Sequence, residues 1–357
     1  MERETEVARI PVRATRALIA DALVAAGLPQ PDAARCAELM SEADLTGADG
    51  HGIFRLPQYA RRLKAGGFNK RPNIAVSRSA PATALVDGDN GMGHLVMAQA
   101  GATAIQLARE AGVAWVGARR SNHAGAAGVY AAMPLAHDMI GIYSVVASAN
   151  HMPIWGGAET LLGTNPLAVA IPAGAEAPVV LDIATTVVSY GTVKNYKLQG
   201  KTMPEGWMVD RHDGRPLTDP ARSHEGLLLP LGGYKGSGLA LVLGLLAGVL
   251  NGAAFGRDVF DFNANDDSQC NTGHFILALD IARFVAPADF KAEVDRHLRD
   301  LAASRPLPGF AAIRLPGAER RLRRAARLRD GVPIPAELIG QLDALAAEVG
   351  VAPLRER

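Results

Sequence analysis

Cysteine is nearly absent: the 357 residues hold two, Cys36 and Cys270, and neither belongs to a CxxC pair. That excludes a disulfide framework and a thiolate zinc site, and it fits a reducing compartment. An excess of either charge is lacking too. A formal net charge of +1 creates no global field to draw nucleic acid or an anionic membrane. The longest apolar run, Leu239 to Leu250, falls short of the roughly 20 residues that a bilayer-spanning helix needs. The opening Met1-Glu2-Arg3-Glu4-Thr5-Glu6 has no apolar stretch of the secretory kind. These absences predict a cytoplasmic protein with neither a nucleic-acid nor a membrane partner.

Several catalytic signatures are missing as well. No strand-like run leads into GxGxxG with an acidic residue about 20 positions on, so an ordinary Rossmann dinucleotide site is not expected. Gly232-Gly233-Tyr234-Lys235-Gly236-Ser237-Gly238 fails the Walker pattern, because Lys235 falls among the glycines rather than after them. HExxH and GxSxG do not occur, which disfavours a zincin or an α/β-hydrolase. No ligand cluster is visible, and no metal is expected.

What is present reads as a globular α+β chain. Hydrophobic residues make up 48% and charged residues 20%, enough for two or three packed lobes. Leu18, Ile19, Ala22 and Leu23 recur at helical spacing in a segment that stops at Gly27. Pro31-Asp32 opens a second helix ending near Gly47, with Cys36 on its apolar face, and a third runs from Arg55 to Ala65 and ends at Gly66-Gly67. Beyond these come short strand-like runs at Ala84–Val86, Val113–Val116, Ile140–Val146, Leu167–Ile171, Val179–Asp182 and His274–Ala278. Helical patterns lie between them at Ala98–Gly112 and Gly125–Asp138. Leu239–Leu250 is apolar all round, so it must be buried against the sheet or a second subunit. The last helix, Pro335–Val349, is expected back on the N-terminal helices. The resulting division is a helical lobe of 1–75 joined by 330–357, and an α+β lobe of 76–329.

Five constellations carry possible chemistry. In Asp49-Gly50-His51-Gly52-Ile53-Phe54-Arg55, a histidine on flexible backbone can give a proton to a carbonyl or imine, and Arg55 can grip a carboxylate with two parallel bonds. Taken alone, the same residues also read as a surface turn. Ser121-Asn122-His123 and Gly163-Thr164-Asn165-Pro166 are polar turns, with helix capping as the plainer reading of the first. Asp182 ends an apolar strand and is costly to bury unpaired, so a pair with His51 or His123 is a natural acid/base couple. The glycine cluster opens directly into the apolar helix. It reads equally as a phosphate site with Lys235 as a point charge, or as a tight turn with a solvated lysine.

The order of these pieces resembles the malate/L-lactate dehydrogenase family, which is not Rossmann and includes ureidoglycolate, sulfolactate and diketogulonate dehydrogenases and reductases of cyclic imino acids. The carriers are Ala43-Asp44-Leu45 with His51-Gly52, Leu56-Pro57-Gln58-Tyr59, Ser121-Asn122-His123, Gly163-Thr164-Asn165-Pro166 and Asp182-Ile183-Ala184-Thr185-Thr186. Pro204-Glu205-Gly206-Trp207, Thr218-Asp219-Pro220, Gly232-Gly233-Tyr234-Lys235-Gly236, Gly273-His274-Phe275 and Leu315-Pro316-Gly317 complete the set.

The resemblance implies an NAD(P)-dependent dehydrogenase or reductase acting on a small carboxylic acid, 2-oxo/2-hydroxy or cyclic imino/amino, usually as a homodimer. It implies His51 as proton donor, His123 as a second candidate for that role, and Arg55 as the carboxylate ligand. Ser148, Asp182, Ile183, Ala184, Lys235, Gly317, Ala318 and Glu319 are implied to hold NAD or NADP. The chain departs from the family pattern at Gly50, where a serine is usual and a substrate contact is implied, and at Ala124, where phenylalanine is common; together these suggest a roomier pocket. Thr192 and Gly244 replace a lysine and a glutamate. The basic run Arg320–Arg329 reads as a solvated helix face, with one arginine in sequence reach of a 2′-phosphate. Two competing readings are a cofactor-independent lyase using His51 and Asp182, and a catalytically silent metabolite-binding relative.

Overall fold

The computed structural model describes residues 7–357, so the reading of Met1–Glu6 as lacking a signal lies outside the described residues. Helices Val12–Ala25, Gln30–Thr46 and Leu56–Ala65 form where the apolar spacing predicts them. Gly47 and Gly66 end the second and third of these in the left-handed region, at φ 88° each, which glycine adopts without a Cβ penalty. The last helix, Ala336–Val349, turns Ile339, Leu342, Leu345 and Ala346 into the core that holds Leu18, Leu23 and Met40. A short antiparallel pair, Val7–Ile10 with Val332–Pro335, ties the two chain ends together. Four residues with two prolines give no legible strand period, which is why the sequence did not announce it.

A seven-stranded sheet forms the second core. Its spatial order is Ala75–Ala80, Thr83–Asp87, Val113–Ser121, Thr272–Asp280, Met139–Val145, Leu167–Ile171, Val179–Ile183. One neighbouring pair, Thr83–Asp87 with Val113–Ser121, is parallel, and helix Gly93–Ala111 makes its crossover. The other pairs are antiparallel. A sheet of this kind has no doubly wound half, and so no Rossmann crevice. Helix Gly93–Ala111 covers one face, against Val116, Ile276 and Ala278. The opposite face, with Phe275 and Trp115, takes helix Tyr234–Ala247 through Leu243 and Ala247.

Two expectations need correction. Gly125–Asp138 is not one helix but a short α-turn, Ala127–Ala131, followed by a 3-10 turn, Met133–His137, broken where Pro134 removes a backbone donor. The apolar helix is buried on one side only: Val242 is 52% exposed and Val249 57%. With the turn that follows it, Tyr234–Asn251 is long and apolar enough by length and composition to cross a membrane, where the apolar run alone is not. Its inner side is nonetheless packed on the sheet.

Candidate active site

The turn carrying His51 is stitched to the helix before it. Asp44, in the last turn of Gln30–Thr46, is buried and accepts the Ile53 N–H at 2.9 Å. A Cβ on Gly52 would stand 1.8 Å from Asp44 Oδ1, so this position admits only glycine. Burial pushes the Asp44 carboxyl up to about 8, which keeps it neutral beneath the turn. Arg55 follows in the 3-10 turn Ile53–Arg55. Its Nε donates to Gly50 O at 3.0 Å and its Nη1 to Gln58 Oε1 at 2.9 Å, which orients the guanidinium and leaves Nη2 for a ligand.

His123 arrives from the far end of strand Val113–Ser121. Its neighbour Asn122 is buried, and its Nδ2 donates to Asn90 Oδ1 at 3.0 Å and Gly91 O at 2.9 Å, fixing the loop. The two imidazoles of His51 and His123 stack with centroids 5.8 Å apart and 11° between planes. Tyr59 Oη lies 2.6 Å from His123 Nδ1, and the Gly125 N–H points at the same nitrogen from 3.3 Å. The Tyr59 hydroxyl can donate or accept, so it holds Nδ1 in either protonation state of the ring and leaves Nε2 as the nitrogen for a substrate. Phe262 stacks on His123 at 5.5 Å. It is held there by Arg62, a fully buried guanidinium 4.3 Å from the Phe262 ring centroid that donates to Phe262 O at 3.2 Å and to the carbonyls of Asn265 and Ser268.

These groups share a cavity of about 110 Å³, whose wall includes His51, Arg55, His123, Ala124, His151 and Tyr190. His151 stacks flat on Tyr190, 4.0 Å between centroids and 8° between planes. Burial, then the Arg55 charge, holds His51 down at about 4. His123 is pulled well below the ordinary histidine value by the same two causes in the same order, with further neighbours adding to them. Both rings are therefore neutral at pH 7, beside a guanidinium in reach of an acid. Such a site can bind a small carboxylate and exchange a proton with an oxygen or nitrogen next to it.

The segments expected to hold a cofactor converge on the edge strand Val179–Ile183. Gly317, at φ +97°, packs so closely on Pro178 that a Cβ would meet its carbonyl oxygen at 2.3 Å, and Val180 N donates to Pro316 O at 3.4 Å. Ala318 and Glu319 open the next helix from there. Beyond Ile183 and Ala184, Leu231 N donates to Thr185 O at 2.9 Å, which sets the glycine cluster against the strand's continuation. Lys235 is exposed in the first turn of a 14-residue helix, whose N-terminal N–H groups and dipole suit a phosphate. Ser148 lies in the cavity wall. The donor set fits a dinucleotide: a cationic helix N-terminus suits its phosphates, and Ser148 stands in the wall of the cavity that holds the paired histidines.

Residues 10–343 match the malate/L-lactate dehydrogenase family. The chain belongs to that family. Membership makes it a nicotinamide-dependent dehydrogenase. It is 38% identical over 334 residues to L-sulfolactate dehydrogenase from Methanocaldococcus jannaschii, covering 94% of this chain and 95% of that one. It is 36% identical over 350 residues to malate dehydrogenase from Pyrococcus horikoshii, covering 96% of each. The solved structure of malate dehydrogenase from Entamoeba histolytica matches with a TM-score of 0.93 at 27% identity, over 97% of this chain and 99% of that one. Relatives named for NAD(+) and for NADP(+) both occur.

Three sequence expectations are corrected by the family member's geometry. Asp182 pairs with neither histidine: its Oδ2 accepts the Gly128 N–H at 2.8 Å and lies 3.5 Å from Arg320 Nη1. The reason is its place in the edge strand, which the helix Ala318–Asp330 crosses with Arg320 leading. Gly50 is not in the cavity wall. It acts through its carbonyl on Arg55, and a Cβ there would meet nothing within 4 Å. The run Arg320–Arg329 is a solvated face only in part: Arg321, Arg323, Arg324 and Arg329 are exposed, but Arg320 and Arg327 are largely covered and pair with Asp182 and Asp49, and Arg324 reaches Glu42 at 2.9 Å.

Residues that sequence reasoning missed include Tyr59, Arg62, His151, Tyr190 and Phe262. Tyr59 had a signal, since it stands one helical turn after Arg55 and so on the same face. Phe262 had none, because contacts 200 residues apart in sequence bring it in.

Proposed function

We propose that the protein transfers a hydride, reversibly, between a nicotinamide cofactor and the 2-position of a small 2-oxo or 2-hydroxy acid. The observation that carries this reading is the stacked His51–His123 pair in one cavity with Arg55. The cofactor, when bound, supplies or removes the hydride. Arg55 holds the substrate carboxylate through Nη2, which turns the 2-position towards the imidazoles. His123 exchanges a proton with the 2-oxygen at Nε2, because Tyr59 and Gly125 hold its other nitrogen. A carboxylate on Arg55 cancels one of the charges that disfavour the imidazolium, so substrate binding itself readies the proton donor.

Lys235, Gly317, Ala318, Glu319, Ser148 and the Asp182–Ala184 segment are proposed as the cofactor's ligands, supported by the packing of the glycine-cluster and Gly317 segments on the strand Val179–Ile183 and its continuation and, for Ser148, by its place in the cavity wall. Asp182 would serve there by fixing Arg320 and Gly128 rather than as a base. A lyase that relies on His51 and Asp182 loses its second group by the same geometry. A homodimer is proposed from the exposed apolar side of the helix Tyr234–Ala247, where Tyr234 is 65% and Val242 52% exposed. Two buried free cysteines support the cytoplasm as its compartment.

The test is a screen of cofactor oxidation by absorbance, with NADH and NADPH each against pyruvate, oxaloacetate and piperideine-2-carboxylate. Turnover of a 2-oxo acid is expected. Turnover of the cyclic imine alone would move the substrate to the imino acids, and none with any acceptor would defeat the reading.

A further inference from the structure

Two cations stand in or directly behind the cavity wall, and among the described residues neither forms an ion pair. Arg55 is one. The other is Lys194, one turn after Tyr190 on the helix Tyr190–Leu198 and therefore on the face that bears that ring. Its ammonium lies 5.5 Å from the Tyr190 centroid and donates to Asn263 Oδ1 at 3.3 Å. Tyr190 and Asn263 are both part of the cavity wall.

The Asn263 amide is oriented for this. Its Nδ2 and its backbone N–H each donate to Asp261 Oδ1 at 2.8 Å, so its own Oδ1 turns to Lys194 and, at 3.4 Å, to Gln58 Nε2. Gln58 in turn receives Arg55 Nη1, which links the two cations through two amides and no carboxylate. Asp261 is the nearby opposite charge, and its Oδ1 is taken up by Asn263. Burial and then the Arg55 charge hold Lys194 below the ordinary lysine value, with Asp261 opposing them, so the two like charges act on each other. One substrate carboxylate on Arg55 leaves Lys194, which is half-buried, with a single amide oxygen and no acid as its partner.

We propose that Lys194 binds a second acidic group on the substrate, so that the preferred acid is a dianion, such as a dicarboxylate or a sulfonated 2-oxo acid. This rests on the reading of the cavity as the site of an acid substrate. Lys194 is then a specificity-determining residue, acting on substrate choice and not on the hydride step.

The experiment compares wild type with Lys194→Met and Lys194→Arg, using oxaloacetate and pyruvate as acceptors. Losing one charge-assisted bond should lower the oxaloacetate-to-pyruvate ratio of kcat/KM by about 10- to 100-fold in Lys194→Met, mainly through KM, with partial recovery in Lys194→Arg. A ratio that does not move overturns the proposal, whatever the absolute rates do. A second arm needs no turnover: tartronate and glycolate are titrated onto the enzyme–NADH complex and followed by melting temperature. A wild-type preference for tartronate that Lys194→Met abolishes supports the proposal, and an equal preference in both forms overturns it. If wild type reduces no 2-oxo acid, the functional reading falls alone, and the titration still decides on Lys194.

Discussion

Tyr59 Oη lies 2.6 Å from His123 Nδ1, joining the helical core to the loop after strand Val113–Ser121 across 64 residues of sequence. Tyr59 is fully buried, so its hydroxyl has no water to turn to, and the bond fixes the position of the imidazole and leaves Nε2 to exchange the proton.

His123→Ala should therefore lower kcat by roughly 10²- to 10⁴-fold, the range of a lost general acid or base, while affinity for NADH stays near wild type. Tyr59→Phe keeps the packing and removes one neutral hydrogen bond. It should reduce kcat/KM by about 3- to 10-fold. Steady-state kinetics with a fluorescence titration of the cofactor check both. A nearly silent His123→Ala, with the whole loss in His51→Ala, would transfer the proton-exchange role to His51.

The pH dependence follows from the depressed histidines. The free enzyme holds His51 at about 4 and His123 well below its ordinary value, so both rings are neutral at neutral pH. Reduction consumes a proton from a ring that is rarely protonated. Its kcat/KM should climb as pH falls from 8 to 5, without levelling off near the ordinary histidine value of about 6.5. Oxidation uses the neutral ring as base and should be flat over the same range. A reduction profile that levels off near 6.5 would show that the reacting group is not a buried histidine.

Neighbouring glycines should respond in opposite ways. At Gly52 a Cβ would stand 1.8 Å from Asp44 Oδ1, with the carboxyl pinned by Ile53, so nothing can give cheaply. Gly52→Ala should cost about 1–3 kcal/mol in denaturant unfolding and displace His51, lowering activity on every substrate alike. At Gly50 a Cβ has open space, and the backbone lies outside the left-handed region. Gly50→Ser should leave the melting temperature nearly unchanged. A large loss of stability in Gly50→Ser would mean that the turn needs glycine for backbone freedom after all.

How far the sequence foretold this site depended on whether a signal was local. Val12–Ala25 and Leu167–Ile171 were legible because their partners merely had to be apolar and in period. His51 and Arg55 stand within one short motif, although its glycines read as flexible backbone and the close approach of Gly52 to Asp44 is seen only in the fold. The Asp182 pairing failed because the choice among partners for a buried carboxylate is made by tertiary structure, and Arg320 and Gly128 lie far from it in sequence. Strand Ala75–Ala80 was illegible for another reason. It is an edge strand exposed along its whole length, so no buried face imposes a period of two. The half-exposed apolar helix Tyr234–Ala247 was legible as apolar, but a single chain gives its outer side nothing to pack on.

The arginines after Gly317 give the last prediction, because their number invites the idea of a 2′-phosphate site. In the fold they are spent elsewhere. Arg327 has a side chain only 11% exposed, bonds the Asp44 carbonyl through Nη1, and grips Asp49 through both Nη1 and Nη2. Arg324 pairs with Glu42 on the same helix as Asp44, and Arg320 with Asp182. The helix Ala318–Asp330 is thus a strut between the edge strand beside the expected cofactor site and the helix Gln30–Thr46 behind His51. Arg327→Ala breaks charge-assisted bonds at a largely buried guanidinium and frees the Asp44 carbonyl, a cost of about 1.5–3 kcal/mol. Its melting temperature should fall by several degrees, and kcat/KM should drop with either cofactor by a similar factor, since the turn of His51 loses its backing. The ratio of NADPH to NADH dissociation constants should stay within about twofold, because a residue that does not touch the 2′-position has no differential free energy to contribute. A ratio that shifts tenfold or more towards NADH, with stability unchanged, would show that Arg327 leaves Asp49 to meet the phosphate when NADPH binds.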